Sequence, residues 1–252
     1  MVSTTLRPLS VGEILDVSFS VYRQHFATLG TVAVLCSGLP VLLSLYIESA
    51  GGLLANLSLS VVYYIVFTVL SSIATAATVF IVSESYLGRP LSAVGALQRA
   101  APLVGRLIVC SLLFAIIIGF GFLFFLLPGL VLLCGLLLAF PSLVLEPGNS
   151  PTGALSRSWS LTRGSRWRMF GLLVTLFVLL YVPVIALGAI ATVIMQSGQG
   201  SASGVVTLAL LGVIQMVLYP FFYCVLTVAY YDLRVRKEGF DLEILASTLQ
   251  AG

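Results

Sequence analysis

Long apolar runs alternate with short polar stretches along the whole chain. Six runs are long enough to cross a hydrocarbon core of about 30 Å, which takes about 20 apolar residues in a helix. The predicted spans are residues 27–47, 57–82, 103–126, 129–145, 169–195 and 204–231. The pattern therefore predicts an all-α integral membrane bundle of six transmembrane helices, formed by one domain over residues 1–252.

The third and fourth spans are separated only by Leu127-Pro128-Gly129. A Pro-Gly pair is a turn signal, which predicts a tight helical hairpin. One broken helix that re-enters the membrane is the alternative. The combined apolar run is about twice the length that one crossing needs, and this favours the hairpin.

Polar stretches before the paired spans predict amphipathic helices at the membrane surface. In residues 10–26, Ser10 and Glu13 fit a capping box, in which each side chain accepts a hydrogen bond from a free backbone N–H. Apolar residues then recur at helical spacing on one face; they are Val11, Ile14, Leu15, Tyr22 and Phe26. Ser150-Pro151 similarly predicts an N-cap followed by an N1 proline.

Short internal similarities suggest that one unit occurs three times. Arg7-Pro8-Leu9-Ser10 and Arg89-Pro90-Leu91-Ser92 are the same tetrapeptide, and Gly95-Ala96-Leu97 is repeated as Gly153-Ala154-Leu155. The predicted unit is one interfacial helix followed by a transmembrane hairpin. A chance match in a biased sequence is the alternative.

Composition narrows the class of protein further. The chain is 60% hydrophobic and 8% charged, with a mean hydropathy of +1.14. Soluble domains carry about 25% charged residues, so a soluble enzyme and a nucleic-acid-binding domain are both excluded. The net charge of +3 is too small to indicate a nucleic-acid partner.

All 12 basic residues lie in or next to alternate connections, before the first span, around the second connection, in the fourth connection and after the last span. Basic residues collect in cytoplasmic loops. The pattern therefore predicts that both termini are cytoplasmic. The tail, residues 232–252, would lie on the same side.

Two basic groups are candidate sites. Arg157, Arg163, Arg166 and Arg168 could contact anionic lipid headgroups, although plain membrane topology explains them without a ligand. Arg234, Arg236 and Lys237 could dock a partner, and a solvated helix end explains them equally well.

Gln215 is the most polar residue deep in a span, and it is a candidate intramembrane polar site. An interhelical hydrogen bond, worth about 0.6 kcal/mol, is the simpler explanation. Pro183 and Pro220 predict kinks, which in transporters can build substrate sites. A strip of Ser71, Ser72, Thr75 and Thr78 could line a polar path, or provide small residues for close packing.

Catalytic motifs are missing. The chain has one histidine, His25, and four cysteines inside apolar runs, and it carries no P-loop, GxSxG or HExxH pattern. We therefore expect no enzymatic activity, no cofactor and no metal site.

Several segments resemble one bacterial family. Leu6–Asp16, Tyr22–Phe26, Leu127–Leu130, Ala154–Gly164 and Tyr230–Glu243 resemble proteins labelled as the membrane domain of glycerophosphoryl diester phosphodiesterase, and related multi-pass proteins. The resemblance implies a prokaryotic cytoplasmic (inner) membrane protein with about six helices. It does not imply phosphodiesterase activity, because in the fused relatives a separate soluble domain carries the catalysis, and we expect this chain to lack that domain.

Two functions follow as hypotheses. The first is a non-enzymatic scaffold or accessory subunit of a larger membrane assembly, with membrane lipids and other subunits or further copies of the chain as its partners. The alternative is a transporter or permease for lipid or a small solute. A cavity at mid-depth lined by Gln215 and serines would favour the transporter.

Overall fold

The protein is helical throughout the described residues. The structure, a computed structural model, describes residues 8–52, 55–89, 91–196 and 202–239. Its helices are α1 Val11–Gln24, α2 Phe26–Ser49, α3 Leu57–Tyr86, α4 Ala93–Ala100, α5 Val104–Phe124, α6 Leu126–Leu136, α7 Ala139–Leu145, α8 Pro151–Thr162, α9 Arg166–Leu176, α10 Val182–Gln196 and α11 Ala202–Glu238. A 3₁₀ turn at Ala101–Leu103 joins α4 to α5, and a π-helical turn at Phe177–Tyr181 joins α9 to α10.

Six helical segments are long and apolar enough to cross a membrane. This finding confirms the predicted all-α bundle, and it makes the chain a multi-pass membrane protein. The segments are Phe26–Ser49, Leu57–Tyr86, Ala93–Phe124, Leu126–Leu145, Arg166–Ile190 and Ala209–Glu238.

Each pair of long helices follows a short helix that begins at a serine. The hydroxyls of Ser10, Ser92 and Ser150 accept hydrogen bonds from the backbone N–H groups of Glu13, Gly95 and Gly153. The capping box of Ser10 and Glu13 and the Ser150 cap are confirmed. Three similar units would show this arrangement, while the repeat itself stays a prediction.

The first short helix, α1, lies along the last helix, α11. At its start, the backbone N–H of Leu9 donates to Asp232 at 2.7 Å. At its end, the Tyr22 hydroxyl donates to the carbonyl of Val217 at 2.9 Å, and its ring packs against Phe221. Helix α1 is therefore fixed to α11 at both ends, and its interfacial position stays a prediction.

The hairpin formed by α5 and α6 turns earlier than predicted. Its single connecting residue is Phe125, which has an extended backbone, whereas Pro128 and Gly129 belong to the first turn of α6. A proline is tolerated there because the first N–H groups of a helix have no helical partner. The arms touch closely, since a Cβ on Gly121 would lie 3.1 Å from the Cα of Gly129.

The fourth predicted span is broken at Leu137–Leu138, between α6 and α7. Backbone groups at the break form hydrogen bonds with side chains of α8. Ser158 donates to the carbonyl of Gly135 at 2.8 Å and accepts from the N–H of Leu138 at 3.1 Å, and Thr162 also donates to Gly135. Helix α8 is thus built into the bundle, with Ser158 and Thr162 fully buried.

Helix α11 ends as the sequence predicted. Gly239 has a φ of 62°, the left-handed conformation that glycine adopts most readily after the last turn of a helix. The predicted tail beyond it, residues 240–252, lies outside the described residues, as do Arg7 and Pro90 of the repeated tetrapeptides.

Candidate functional site

A cavity of about 380 Å³ lies between α2, α3 and α11. We call it the first cavity. Its wall combines serine, tyrosine, glutamine and glutamate side chains with a larger number of apolar ones. Its lining includes Cys36, Ser37, Pro40, Ser44, Glu48, Tyr63, Phe67, Ser71, Gln215, Met216 and Tyr219.

One end of the first cavity is closed by hydrogen bonds between α3 and α11. The hydroxyls of Thr75 and Tyr219 are 2.6 Å apart, and the Tyr219 hydroxyl also donates to the carbonyl of Ser71 at 3.3 Å. The predicted Ser/Thr strip is therefore divided, because Ser71 reaches the cavity while Ser72, Thr75 and Thr78 are buried.

Glu48 lies at the other end of the first cavity, and among the described residues it is the only charged one in the lining. This glutamate is exposed in the last turn of α2, next to the connection to α3. Gly51 and Gly52 turn that connection with φ values of 105° and 88°, a conformation that residues with a Cβ rarely adopt. Among the described residues, no basic side chain pairs with Glu48.

Two prolines lie beside the first cavity. Pro40 is inside α2 and Pro220 is inside α11. A proline has no N–H, so each leaves the carbonyl four residues earlier without its helical partner. Those carbonyls belong to Cys36 and Met216, and both residues line the cavity.

Gln215 lies between the first cavity and a second one of about 450 Å³. The second cavity is bounded by α11, the start of α10 and the π-helical turn, where Leu180 and Tyr181 line it. Gln215 and Tyr219 line both cavities. Within the part of the chain that the structure describes, the Gln215 amide has no hydrogen-bond partner, which weakens the explanation by an interhelical hydrogen bond.

The far end of α11 holds a buried carboxylate, Asp232, which is 2% exposed. It accepts hydrogen bonds from Arg168, from Arg236 at 3.1 Å and from the backbone N–H of Leu9. Both arginines also donate to the carbonyl of Leu9. A buried charge is tolerated only when it is paired and hydrogen-bonded, and these contacts fix the start of α1 to α9 and α11.

A second charged group surrounds Glu146, in the loop after α7. Arg157 donates to Glu146 at 2.7 Å and to Glu238 at 2.8 Å, and the Tyr230 hydroxyl donates to Glu146. The hydrogen bond to Glu238 does most to hold the pKa of the Arg157 guanidinium above its usual value; burial lowers it, and Glu146 raises it.

The predicted lipid-contact arginines have different surroundings. Arg157 and Arg168 are engaged with carboxylates, as described above. Arg166 stacks over the Trp159 ring at 3.8 Å, and Arg163 is exposed. Anionic lipid contact by these four residues stays a prediction, for which Arg163 is the most accessible member.

The predicted docking residues make contacts within the chain. Arg236 binds Asp232, Arg234 donates to Glu238 at 3.1 Å, and Lys237 donates to the backbone carbonyls of Ser160 and Arg163. The two arginine contacts lie within α11, and the Lys237 contacts connect the end of α11 to the end of α8. A partner would have to share or displace them, so docking at this surface stays a prediction.

In the described ranges, no group of three histidine, cysteine or acidic side chains is placed to hold a metal ion. The cysteines Cys36, Cys110, Cys134 and Cys224 are free and buried.

A family model described as a domain of unknown function, DUF7847, matches residues 52–233. The chain belongs to this family. The matched segment contains α3 and most of α11, whereas the cavity-lining part of α2 precedes it. No curated protein and no solved structure matches the chain. The resemblance to the glycerophosphoryl diester phosphodiesterase membrane domain stays a prediction.

Sequence reasoning found Gln215 but missed most of the residues around it. Ser37, Pro40 and Ser44 in α2, and Tyr63 and Phe67 in α3, resemble ordinary membrane-helix residues. A signal was available in Pro40, because a proline inside a span is a candidate site for a kink. Which helix would lie opposite it depends on tertiary packing.

Proposed function

We propose that this protein is a transporter or permease for lipid or a small solute, and that the first cavity is its ligand site. The observation that carries the proposal is this cavity, because it combines Gln215 with Ser37, Ser44 and Ser71 inside helices that can span a membrane. Ligand sites are concave and mostly apolar, with a few polar groups that orient the ligand.

The depth of the first cavity supports a site inside the membrane. Its lining extends along α2 from Glu48 to Cys36, which is about 18 Å at the rise of 1.5 Å per residue of an α-helix. The hydrocarbon core is about 30 Å thick. A ligand that enters beside Glu48 would therefore reach the middle of the membrane next to Gln215.

The second cavity supports movement as well as binding. Only α11 separates the two cavities, and it carries Pro220 just beyond their shared residues. The π-helical turn at Phe177–Tyr181 borders the second cavity and ends two residues before Pro183. Prolines and π-helical turns are the places where membrane helices bend, and a bend in α11 would connect the two spaces.

The direction of opening follows from the charges. Arg168 and Arg157 contact Asp232 and Glu238 near the end of α11, and Lys237 in the last turn of α11 contacts Arg163 after α8. The basic connections therefore gather at one end of the bundle. With basic residues inside, we place both termini in the cytoplasm of a prokaryotic cell and the Glu48 end on the outer side of its inner membrane.

A photo-crosslinking experiment tests the site. The probe is a diazirine-bearing long-chain alcohol, added to the protein in lipid nanodiscs, and labelled peptides are identified by mass spectrometry. We expect labels in α2, α3 and α11 at the cavity. Ser44→Phe should remove these labels, because the larger side chain fills the cavity. The substitution should leave the helix packing intact, because the Ser44 hydroxyl bonds only to Val41 of its own helix.

Thr31→Phe is the matched control. Thr31 is exposed on the same helix, and it also bonds only within that helix, to Ala27. This variant should keep the cavity labels. Equal labelling in the two variants would mean that the probe reports the lipid-facing surface, and it would overturn the proposal.

An accessory subunit of a larger assembly is the second candidate function. The observation that favours it is the tip of the α5–α6 hairpin, where Leu123 and Phe125 are both 76% exposed. No described residue covers this tip, so in a membrane it contacts lipid or another protein. An accessory subunit would be purified in a complex with other proteins, whereas a transporter would be purified with a small ligand.

A further inference from the structure

We propose that the ligand of the first cavity carries one positive charge on an apolar body, as an alkylammonium compound does. The inference rests on the proposed function and names the chemical class of its ligand. It excludes anionic phospholipids as the preferred ligand.

The charge of the lining points to a cation. Among the described residues, Glu48 is the only carboxylate of the lining, and none of the 11 basic residues in those ranges lines the cavity. A cation would therefore find a partner at the mouth, whereas an anion would find a carboxylate of its own sign.

The uncharged polar groups add acceptors at greater depth. The carbonyls of Cys36 and Met216 are released from their helical hydrogen bonds by Pro40 and Pro220. The Gln215 amide, without a partner in the described residues, adds a further carbonyl oxygen. These three carbonyl groups would favour a ligand that donates hydrogen bonds or carries positive charge.

The apolar part of the lining suits the remainder of such a ligand. Tyr63 and Phe67 stack with ring centroids 5.9 Å apart, and both line the cavity that Glu48 also lines. Aromatic faces attract alkylammonium groups through the negative charge of the ring face. A cavity that combines a carboxylate with aromatic rings therefore favours a cation that also has apolar surface.

The test compares two probes of equal chain length in nanodiscs of zwitterionic lipid. Dodecyltrimethylammonium carries the charge and dodecanol does not, and both are radiolabelled for an equilibrium-binding assay. We expect the wild-type protein to prefer the cation. Glu48→Gln should weaken cation binding about three- to ten-fold and leave dodecanol binding unchanged, while Glu48→Asp should retain the preference.

The outcomes separate this inference from the proposed function. If dodecanol binds, Ser44→Phe abolishes its binding, and the cation is not preferred, the cavity is a ligand site and the charge inference is wrong. If Ser44→Phe changes the binding of neither probe, the cavity itself is not the site, and both proposals fail.

A cation preference that persists in Glu48→Gln would overturn the role of Glu48. Higher salt should reduce the wild-type preference by screening the carboxylate.

Discussion

The Ser158 hydroxyl forms hydrogen bonds with two backbone groups at the break in the fourth span. Ser158 is fully buried, and its hydroxyl contacts both the Gly135 carbonyl and the Leu138 N–H. An unsatisfied buried group costs about 1–3 kcal/mol. Close packing at the same place depends on Gly135, since a Cβ there would lie 2.4 Å from the Trp159 ring.

We therefore expect Ser158→Ala to lower the free energy of unfolding by about 1–3 kcal/mol. Thermal unfolding in mild detergent measures this loss. Ser160→Ala is the matched control, because Ser160 is exposed and its hydroxyl donates only to the Arg157 carbonyl in its own helix. This change should alter stability by no more than about 0.5 kcal/mol. If both variants unfold at the same temperature, Ser158 does not support the break.

At this scale, local contacts were predictable and distant ones were not. The capping box of Ser10 and Glu13 and the turn at Gly239 depend on neighbours in sequence, so the residue pattern contained them. The contact of Arg168 with Asp232 joins residues far apart in the chain. Sequence reasoning therefore identified Arg168 as basic and interfacial without finding its partner.

The α5–α6 hairpin differs from the other two helical pairs in its connection. Residues 112–141 contain no polar side chain apart from the thiol of Cys134, whereas residues 48–56 and 196–203 include charged or polar residues. Keeping one large apolar side chain out of water is worth about 1.5–3 kcal/mol. Pro128 also removes an N–H that would have no partner in hydrocarbon. The turn at Phe125 is therefore suited to remain inside the membrane.

Cysteine labelling tests the position of this turn. Leu126→Cys should react slowly with a membrane-impermeant maleimide in nanodiscs, where both faces of the membrane are accessible. Ser49→Cys, at the exposed end of α2, should react rapidly under the same conditions. The four native cysteines are buried and should add little background. Equal rates for the two variants would place the hairpin turn in water.

The number of spans was predictable, because length and hydropathy alone determine which helices can cross a membrane. The turn of the hairpin and the break at Leu137–Leu138 were not. Pro-Gly is typical of turns, but here the close contact of Gly121 with Gly129 places the pair inside the start of α6. The break depends on Ser158 and Thr162 of α8, which no local pattern connects to it.

On the scale of the whole molecule, the two ends of α11 have different roles. One end is held by charges that join it to α1, α8 and α9 through Asp232 and Glu238. Toward the other end, Gln215 and Tyr219 border two cavities, and the packing there is open. A fixed end and an open end suit a helix that moves around a ligand. From the sequence, Gln215 indicated a polar position, but only packing shows the space beside it.

Native mass spectrometry of the protein, extracted from its own membranes in polymer discs, tests the central claim most directly. We predict a wild-type chain that retains a small ligand, and a Ser44→Phe variant that is equally well folded but lacks the ligand. Recovery of the chain only in a stoichiometric complex with other proteins, with no small ligand in either variant, would contradict a transporter and support an accessory subunit.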